Sequence, residues 1–261
     1  MDHGGKELIP IYKPYLSKET LKYAHDALDS TWISSTGKYL ELSTNFLKDI
    51  LQVENLKLVN NGTSATHLAV KALLRKSPNI KELVVPNNVY VAAWNSAIYE
   101  GLRLHPVDAN LDTWNVDLEK LKIVLKTKDP QKTAVMIVPN LGNIINTRKL
   151  QRDHPNFLFI EDNCEGFYGK YEGYFSGTGC LASSLSFFGN KTITSGEGGS
   201  FITKDKEVYD FIDKTQGQGQ SSQRYIHDVL GYNYRMTNIQ AAILYGQLVI
   251  LDQIIEKKQA L

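Results

Sequence analysis

The chain has 261 residues, of which 42% are hydrophobic, enough for one large core or for a core with a smaller appendage. Lysine and arginine number 29 against 28 acidic residues, and with no basic block the composition argues against a nucleic-acid-binding protein. Cys164 and Cys180 are too few for a disulfide framework and lack metal-ligand spacing, so we expect no metal site and a reducing, cytoplasmic compartment. Residues 1–6 are polar and no apolar run is long enough to span a bilayer, so we expect neither signal peptide nor membrane segment.

The first predicted elements are helical. After an extended, proline-containing stretch, a capping serine and apolar residues at helical spacing predict a helix at 17–30. A loop with a tryptophan and several hydroxyl groups follows at 32–39, and loops of this kind often reach into functional sites. A second helix is predicted at about 40–52.

From residue 56 onward, short apolar strands alternate with helices. The strands are predicted at 56–59, 82–85, 103–107, 133–138, 157–161, 181–188 and 200–203, and the helices at 63–75, 91–99, 116–125 and 147–152. Such alternation predicts an α/β fold with a mainly parallel sheet and helices on both faces.

Apolar residues at helical spacing from Met236 onward predict one long amphipathic helix that runs to the end of the chain. A chain that ends on this helix looks truncated, and we expect a small C-terminal domain to be missing. We therefore divide the sequence into an N-terminal segment (1–35), a large domain (36–236) and a helix leading onward (237–261).

One lysine lies in a glycine-rich stretch between the last two predicted strands. The stretch reads Ser186-Phe187-Phe188-Gly189-Asn190-Lys191-Thr192-Ile193-Thr194-Ser195-Gly196-Glu197-Gly198-Gly199. An exposed lysine at a hairpin tip is the commoner arrangement, but the glycines indicate close backbone approach, as at a bound ligand. A lysine held away from water becomes a nucleophile that can form a Schiff base with an aldehyde such as pyridoxal phosphate. We interpret Lys191 as that nucleophile.

Three other stretches offer what a phosphorylated pyridine ring requires. Asn60-Asn61-Gly62-Thr63-Ser64-Ala65 is a turn into a helix, suited to a phosphate or simply to capping the helix. Asp162 follows an apolar strand, where it can pair with a ring nitrogen or cap the next helix. Tyr90 or Trp94 can stack on a flat ring, although packing into the core is the commoner role of either.

The order of these motifs resembles the DegT/DnrJ/EryC1 family of fold-type I, pyridoxal-phosphate-dependent sugar aminotransferases. The matching motifs are Asn61 to Ala65, Glu161-Asp162, Ser186 to Lys191, Gly196-Glu197-Gly198-Gly199 and Gly231-Tyr232-Asn233-Tyr234-Arg235-Met236. The nearest branch is that of GDP-perosamine synthases, through Trp32-Ile33-Ser34-Ser35, Ser186 to Thr194, Gly217-Gln218-Gly219 and His227-Asp228.

The resemblance implies a role for each candidate residue. Lys191 would bind the cofactor covalently and shuttle a proton, and Asp162 would pair with the pyridine nitrogen. The remaining cofactor contacts would come from Gly62, Thr63, Ser64, Tyr90, Glu165 and Ser186, with Asn233 reaching the phosphate of a neighbouring subunit in a homodimer with shared active sites. Trp32, Ser34 and His227 are candidates for the sugar side of the pocket.

The implied reaction moves an amino group from glutamate, which leaves as 2-oxoglutarate, to carbon 4 of a nucleotide-linked 4-keto-6-deoxy sugar. Val138-Pro139-Asn140-Leu141-Gly142 stands where many relatives carry a His-Leu-Tyr-Gly type turn, so the sugar is less well defined.

Four alternatives stay open. One is amination at carbon 3, or a viosamine-type product from a dTDP- or UDP-linked sugar. A 3-dehydratase is disfavoured because that branch replaces the lysine with histidine. An inactive relative acting as a binding or regulatory subunit is a third, and a Rossmann nucleotide-binding protein would need the G-x-G-x-x-G that residues 60–63 do not supply.

Overall fold

The computed structural model describes residues 10–260, so the polar stretch at 1–6 and the start of the predicted N-terminal segment lie outside the described residues. The helices are α1 (Lys18–Asp29), α2 (Lys38–Leu51), α3 (Gly62–Lys76), α4 (Ala92–Tyr99), α5 (Leu118–Leu125), α6 (Thr147–Asp153), α7 (Lys206–Gln216), α8 (Asn238–Val249) and α9 (Leu251–Gln259). The strands are β1 (Asn55–Val59), β2 (Glu82–Pro86), β3 (Arg103–Val107), β4 (Thr133–Ile137), β5 (Phe159–Asp162), β6 (Lys170–Tyr171), β7 (Tyr174–Phe175), β8 (Ala182–Ser186) and β9 (Gly199–Thr203).

Seven strands form one mixed sheet in the order β1-β9-β8-β5-β4-β2-β3. The pairs β2–β3, β2–β4, β4–β5 and β5–β8 are parallel, whereas β9 is antiparallel to both β1 and β8. The predicted mainly parallel sheet is therefore confirmed. Because β2, β4, β5 and β8 run the same way, their carboxyl ends meet at one edge of the sheet.

Both faces of this sheet are covered by helices, as the continuous apolar strands require. In β4, Ala134 and Met136 pack into a core that includes α3 and α7, while Val135 and Ile137 pack into a second core with α5 and α6. A third cluster joins α1, α2, α8 and α9 to β1, β8 and β9. The sheet thus lies between helical layers that hold its edge in place.

Side-chain caps fix where several helices begin. The Ser17 hydroxyl accepts a 3.0 Å hydrogen bond from the Thr20 N–H at the start of α1. Asp117 accepts bonds from the N–H groups of Glu119 and Lys120, which is why α5 begins at Leu118 and not at the predicted residue 116. Thr237 and Gln240 form a reciprocal capping box at the start of α8.

The C-terminal region differs from the prediction of one long helix. The helix ends at Val249 and resumes at Leu251, with a bend of 63°. The bend keeps Leu248, Ile250, Leu251 and Ile254 in one core cluster, whereas a straight helix would carry its last turns away from that cluster. The hairpin β6–β7 and helix α7 are further elements that the sequence did not predict.

Within residues 10–260, no single helix is long and apolar enough to cross a bilayer, and the bent pair α8–α9 meets the criteria of length and composition only when its two helices are taken together.

Candidate active site

Lys191 lies in the loop between β8 and β9, at the edge of the sheet where the parallel strands end. Its backbone N–H donates a 3.0 Å hydrogen bond to the carbonyl of Phe188, which closes a tight turn. The side chain is 20% exposed, and its amine lies 3.5 Å from Oε1 of Glu165. The amine is therefore largely covered by protein and faces a carboxylate.

Asp162, the last residue of β5, is buried at the same edge. Its Oδ1 accepts hydrogen bonds from the Ser184 hydroxyl at 3.3 Å and the Cys164 N–H at 3.2 Å. The hydroxyls of Ser184 and Thr66 lie 2.9 Å apart, so the carboxylate is oriented by a chain of groups reaching into α3. Burial raises the pKa of Asp162, and the nearby charge of Lys191 opposes that shift. A cationic ring nitrogen would stabilise the ionised form.

The turn from β1 into α3 forms the third part of the site. The Asn61 side chain caps α3 by accepting a 2.8 Å hydrogen bond from the Ser64 N–H. Gly62 permits close approach, because a Cβ atom there would lie 2.7 Å from the Cβ of Ser186. The first turn of α3 therefore presents its amino terminus directly beside the end of β8, an arrangement that suits an anion.

One cavity of about 590 Å³ joins these parts. Seven of the predicted site residues line it: Gly62, Thr63, Tyr90, Asp162, Glu165, Ser186 and Lys191. Tyr90 is 76% exposed at its rim, whereas Trp94 packs against the core and its indole N–H donates to the Pro86 carbonyl at 3.0 Å. The structure thus places Tyr90, and not Trp94, where a ring could stack.

The remaining predicted residues do not line this cavity. Ser64 is buried behind the turn, and Asn233 is exposed on a short segment that pairs with Gly217. His227 is exposed and its Nδ1 lies 2.9 Å from the carbonyl of Gln218.

Trp32 and Ser34 belong to a loop held by Asn238. The Asn238 side-chain amide donates to the Trp32 carbonyl at 2.6 Å, and its backbone N–H donates to the Ser34 carbonyl at 2.5 Å. Trp32 lines a separate cavity of about 300 Å³. Within a single chain, Trp32 and the amine of Lys191 therefore line different cavities, and neither Ser34 nor His227 lines either one.

Three further residues contribute to the site without having been predicted. Thr66 and Ser184 orient Asp162, and Cys164 lies 3.7 Å from both hydroxyls. Cys164 stands within the Asp162 motif, so its position was visible in the sequence, but Thr66 and Ser184 are ordinary small residues of a helix and a strand. Only the packing of α3 on β8 reveals their role.

The residues of the main cavity fit pyridoxal phosphate. An amine faces the cavity where an aldehyde would bind, a buried carboxylate can receive a protonated ring nitrogen, and a helix amino terminus opened by Gly62 can receive a phosphate. These are the three groups by which this cofactor is usually held. Among the described residues, no cluster of histidine, cysteine or acidic side chains suited to a metal ion occurs.

Comparison with solved structures supports this fold. PseC of Helicobacter pylori, an aminotransferase of pseudaminic acid biosynthesis, superposes with a TM-score of 0.87 over 97% of this chain and 68% of its own, at 24% identity. The Escherichia coli GDP-4-keto-6-deoxy-D-mannose-3-dehydratase, solved with hydrated pyridoxal phosphate, gives a TM-score of 0.88 at 23% identity, over 97% of this chain and 70% of its own. The predicted fold-type I architecture is confirmed.

Comparison with curated sequences shows closer relatives. GDP-perosamine synthase of Escherichia coli O157:H7 is 41% identical over 256 residues, covering 96% of this chain and 68% of the relative. The Vibrio cholerae enzyme of the same name is 38% identical, covering 97% of this chain and 68% of the relative. This chain thus spans about two thirds of the length of these relatives. The family model for DegT/DnrJ/EryC1/StrS aminotransferases matches residues 14–261, and the chain therefore belongs to that family.

Proposed function

We propose that this protein transfers an amino group from glutamate to carbon 4 of a GDP-linked 4-keto-6-deoxy sugar, giving a perosamine-type product and 2-oxoglutarate. The observation that carries the proposal is the single cavity in which Lys191, Asp162 and the start of α3 meet. Identities of 41% and 38% to GDP-perosamine synthases support the choice of substrate over dTDP- or UDP-linked sugars.

Pyridoxal phosphate, when bound, supplies an electron sink for bonds at the amino-bearing carbon. The protein's part is positioning and proton transfer. The Nζ atom of Lys191 is the group placed to remove and return a proton at the substrate carbon, and Glu165, 3.5 Å away, can stabilise its protonated form. Asp162 would accept a hydrogen bond from the ring nitrogen, with Ser184 and Cys164 fixing its orientation.

The test compares Lys191→Ala and Lys191→Arg with Lys206→Ala, a variant of an exposed lysine on α7. We expect both Lys191 variants to lose the visible absorbance of the lysine-bound cofactor and all turnover, and Lys206→Ala to retain both. A Lys191 variant that keeps colour and turnover contradicts the proposal. Wild-type protein that binds the cofactor but does not change colour with glutamate favours the alternative of an inactive binding or regulatory subunit.

The substrate is tested with glutamate and a panel of GDP-, dTDP- and UDP-linked 4-keto-6-deoxy sugars, with products read by mass and the amination position by NMR. The GDP-linked sugar should be consumed fastest and aminated at carbon 4. Preference for a dTDP- or UDP-linked sugar would favour a viosamine-type product, and a new amine at carbon 3 would favour the sugar 3-aminotransferase.

We further propose that the active unit is a homodimer with shared sites, in which Asn233 of one subunit reaches the other's cofactor phosphate. Its exposed position outside the cavity of its own chain supports this. Mixing inactive Lys191→Ala and Asn233→Ala chains should restore about a quarter of wild-type activity, since half the random dimers carry one intact site. No recovery, with mixed dimers demonstrated, would contradict sharing.

The free thiols of Cys164 and Cys180 are consistent with a cytoplasmic enzyme, and we propose that its product is used in polysaccharide biosynthesis. The division into segments 1–35, 36–236 and 237–261 stays a prediction.

A further inference from the structure

A second cavity of about 460 Å³ adjoins the one that contains the reactive amine. The two cavities share Tyr12, Asn190 and Lys191 in their walls. The other walls of the second cavity come from the segment around Lys13, from the loop between β8 and β9 that carries Lys191, and from the end of α9. A ligand that extends through both would pass directly over Lys191.

The charge of this second cavity is uniformly positive. Lys13, Lys257 and Lys258 line it together with Lys191, and none of its lining residues in the described part of the chain is acidic. Neither Lys13, Lys257 nor Lys258 forms an ion pair with a carboxylate of residues 10–260. By contrast, the surface lysines Lys149 and Lys206 pair with Asp153 and Asp210.

Two of these lysines are held in place by neighbours that leave their charge unneutralised. The amine of Lys258 lies 3.4 Å from the backbone carbonyl of Lys191, and that of Lys257 lies 5.2 Å from the ring centre of Tyr15. Partial burial lowers the pKa of Lys258, so an anion in this cavity would stabilise its charged form.

We propose that this lysine-lined cavity binds the diphosphate of the nucleotide-linked sugar, with Lys13, Lys257 and Lys258 as its cationic contacts. A diphosphate is a compact group with two to three negative charges, and lysine ammonium groups bind phosphate as point charges. Because the diphosphate is attached directly to the sugar, its binding here places the sugar ring over Lys191. This inference rests on the proposed substrate class but assigns a site that the cofactor does not use.

The direct test measures binding of GDP and of inorganic pyrophosphate to the cofactor-loaded protein by calorimetry. We expect Lys257→Met/Lys258→Met and Lys13→Met to weaken both ligands, the double variant by at least about tenfold, which is about 1.4 kcal/mol. Lys257→Arg/Lys258→Arg should restore binding, because it restores the charge. The control Lys149→Met/Lys206→Met, with the same change in net charge, should bind like wild type. Equal binding by the Met variants and wild type would overturn the proposal.

The two half-reactions give a second, independent readout. The colour change with glutamate should proceed in the Met variants at the wild-type rate, since glutamate carries no diphosphate, while KM for the GDP-linked keto sugar rises at least about tenfold and kcat changes little. Loss of the glutamate half-reaction together with the sugar half-reaction would overturn the lysine site. An enzyme that reacts with glutamate and with no nucleotide-linked sugar would instead contradict the proposed function, and the calorimetry would still decide whether the lysines bind a diphosphate.

Discussion

The amine of Lys191 lies 3.5 Å from Oε1 of Glu165, and Oε2 of the same carboxylate accepts a 2.6 Å hydrogen bond from the backbone N–H of Leu141. Leu141 has a φ of 53°, in the left-handed region that a leucine rarely adopts. Glu165 therefore joins the amine of Lys191 to the loop after β4 and holds that loop in an unfavourable backbone conformation.

We expect Glu165→Gln to retain the cofactor and Glu165→Ala to weaken its binding by roughly tenfold, about 1.4 kcal/mol. Glutamine can still accept the Leu141 N–H, and the partly exposed ion pair that it loses contributes under about 1 kcal/mol. Alanine leaves the loop without this contact. Cofactor dissociation followed by absorbance measures the effect, with exposed Glu54→Ala as the control. If the Gln and Ala variants release the cofactor equally fast, the hydrogen bond to the loop has no role in holding it.

Gly199, the first residue of β9, lies against the backbone of the turn from β1 into α3. A Cβ atom at this position would lie 2.6 Å from the Asn61 carbonyl oxygen and 2.7 Å from that of Leu185, and neither backbone atom can rotate away. We expect Gly199→Ala to lower the free energy of unfolding by about 1–3 kcal/mol and to weaken cofactor retention by displacing the turn.

The control for this substitution is Gly189→Ala, in the loop between β8 and β9. The nearest atom to its added methyl group would be a Pro14 carbon at 3.6 Å, an ordinary contact, so we expect a change within about 0.5 kcal/mol. Urea unfolding of the cofactor-free proteins measures both. Equal stability of the two variants would show that the backbone at Asn61 yields more easily than its packing indicates.

Much of the fold was predictable because each central strand is buried on both faces. The apolar run in β4 supplies two different cores, and such runs stand out in a sequence. Helix α7 carries Val208, Phe211 and Ile212 at helical spacing, so its pattern was present in the sequence and the prediction missed it. The two-residue strands β6 and β7 are too short for a pattern. No glycine or proline at Ile250 marks the bend in the sequence. The bend comes from packing against the third cluster, which includes Leu248, Leu251 and Ile254.

The candidate site, like the fold, was only partly predictable from the sequence. Asp162 ends the strand β5, and Gly62 and Lys191 follow the strands β1 and β8, so the order of the strands brings all three to one edge. The pairing of Lys191 with Glu165 depends on how two loops pack, and no sequence spacing encodes it. The same holds for the lysines of α9, whose place beside Lys191 follows from the bend between α8 and α9.

Glu161 is buried on the face of the sheet opposite to that of Asp162, with its Oε1 2.6 Å from the Ser176 hydroxyl and no hydrogen-bond partner at Oε2 among the described residues. Burial, with a contribution from the charge of Asp162, raises the pKa of Glu161 to about 7. Because the folded state holds this proton more tightly than the unfolded state, the stabilisation is fully present below about pH 4.5 and is lost as pH rises through about 7.

We therefore expect Glu161→Gln, which removes the ionisation but keeps a polar group of the same shape, to become more stable relative to wild type as pH rises from 5 to 8. With an ordinary pKa of 4.5 and a folded-state pKa of about 7, the gain in relative stability between pH 5 and 8 is about 2.5 kcal/mol. Urea unfolding at several pH values measures it, with exposed Glu54→Gln as the control. A difference between Glu161→Gln and wild type that stays constant with pH would show that this carboxyl does not titrate in that range.

His67, 3% exposed on α3, links the segment that carries Asn233 to the rest of the large core. Its Nε2 lies 2.7 Å from Oε1 of Glu100, and its Nδ1 lies 3.0 Å from the hydroxyl of Tyr234. The ring of Tyr234 stacks on that of Tyr232 at 4.9 Å. Burial lowers the pKa of His67, which favours the neutral ring with Nε2–H donating to Glu100 and Nδ1 accepting from Tyr234.

We expect Tyr234→Phe to lower the free energy of unfolding by about 1–3 kcal/mol, because it leaves the buried Nδ1 of His67 without a donor. Tyr232→Phe is the matched control, since it keeps the stacked rings and removes a hydroxyl with no side-chain partner within residues 10–260, and it should change stability by at most about 0.5 kcal/mol. Urea unfolding of both variants and of the double variant measures the difference. Equal losses from the two single variants would show that the hydrogen bond between Tyr234 and His67 stabilises the fold no more than the Tyr232 hydroxyl does.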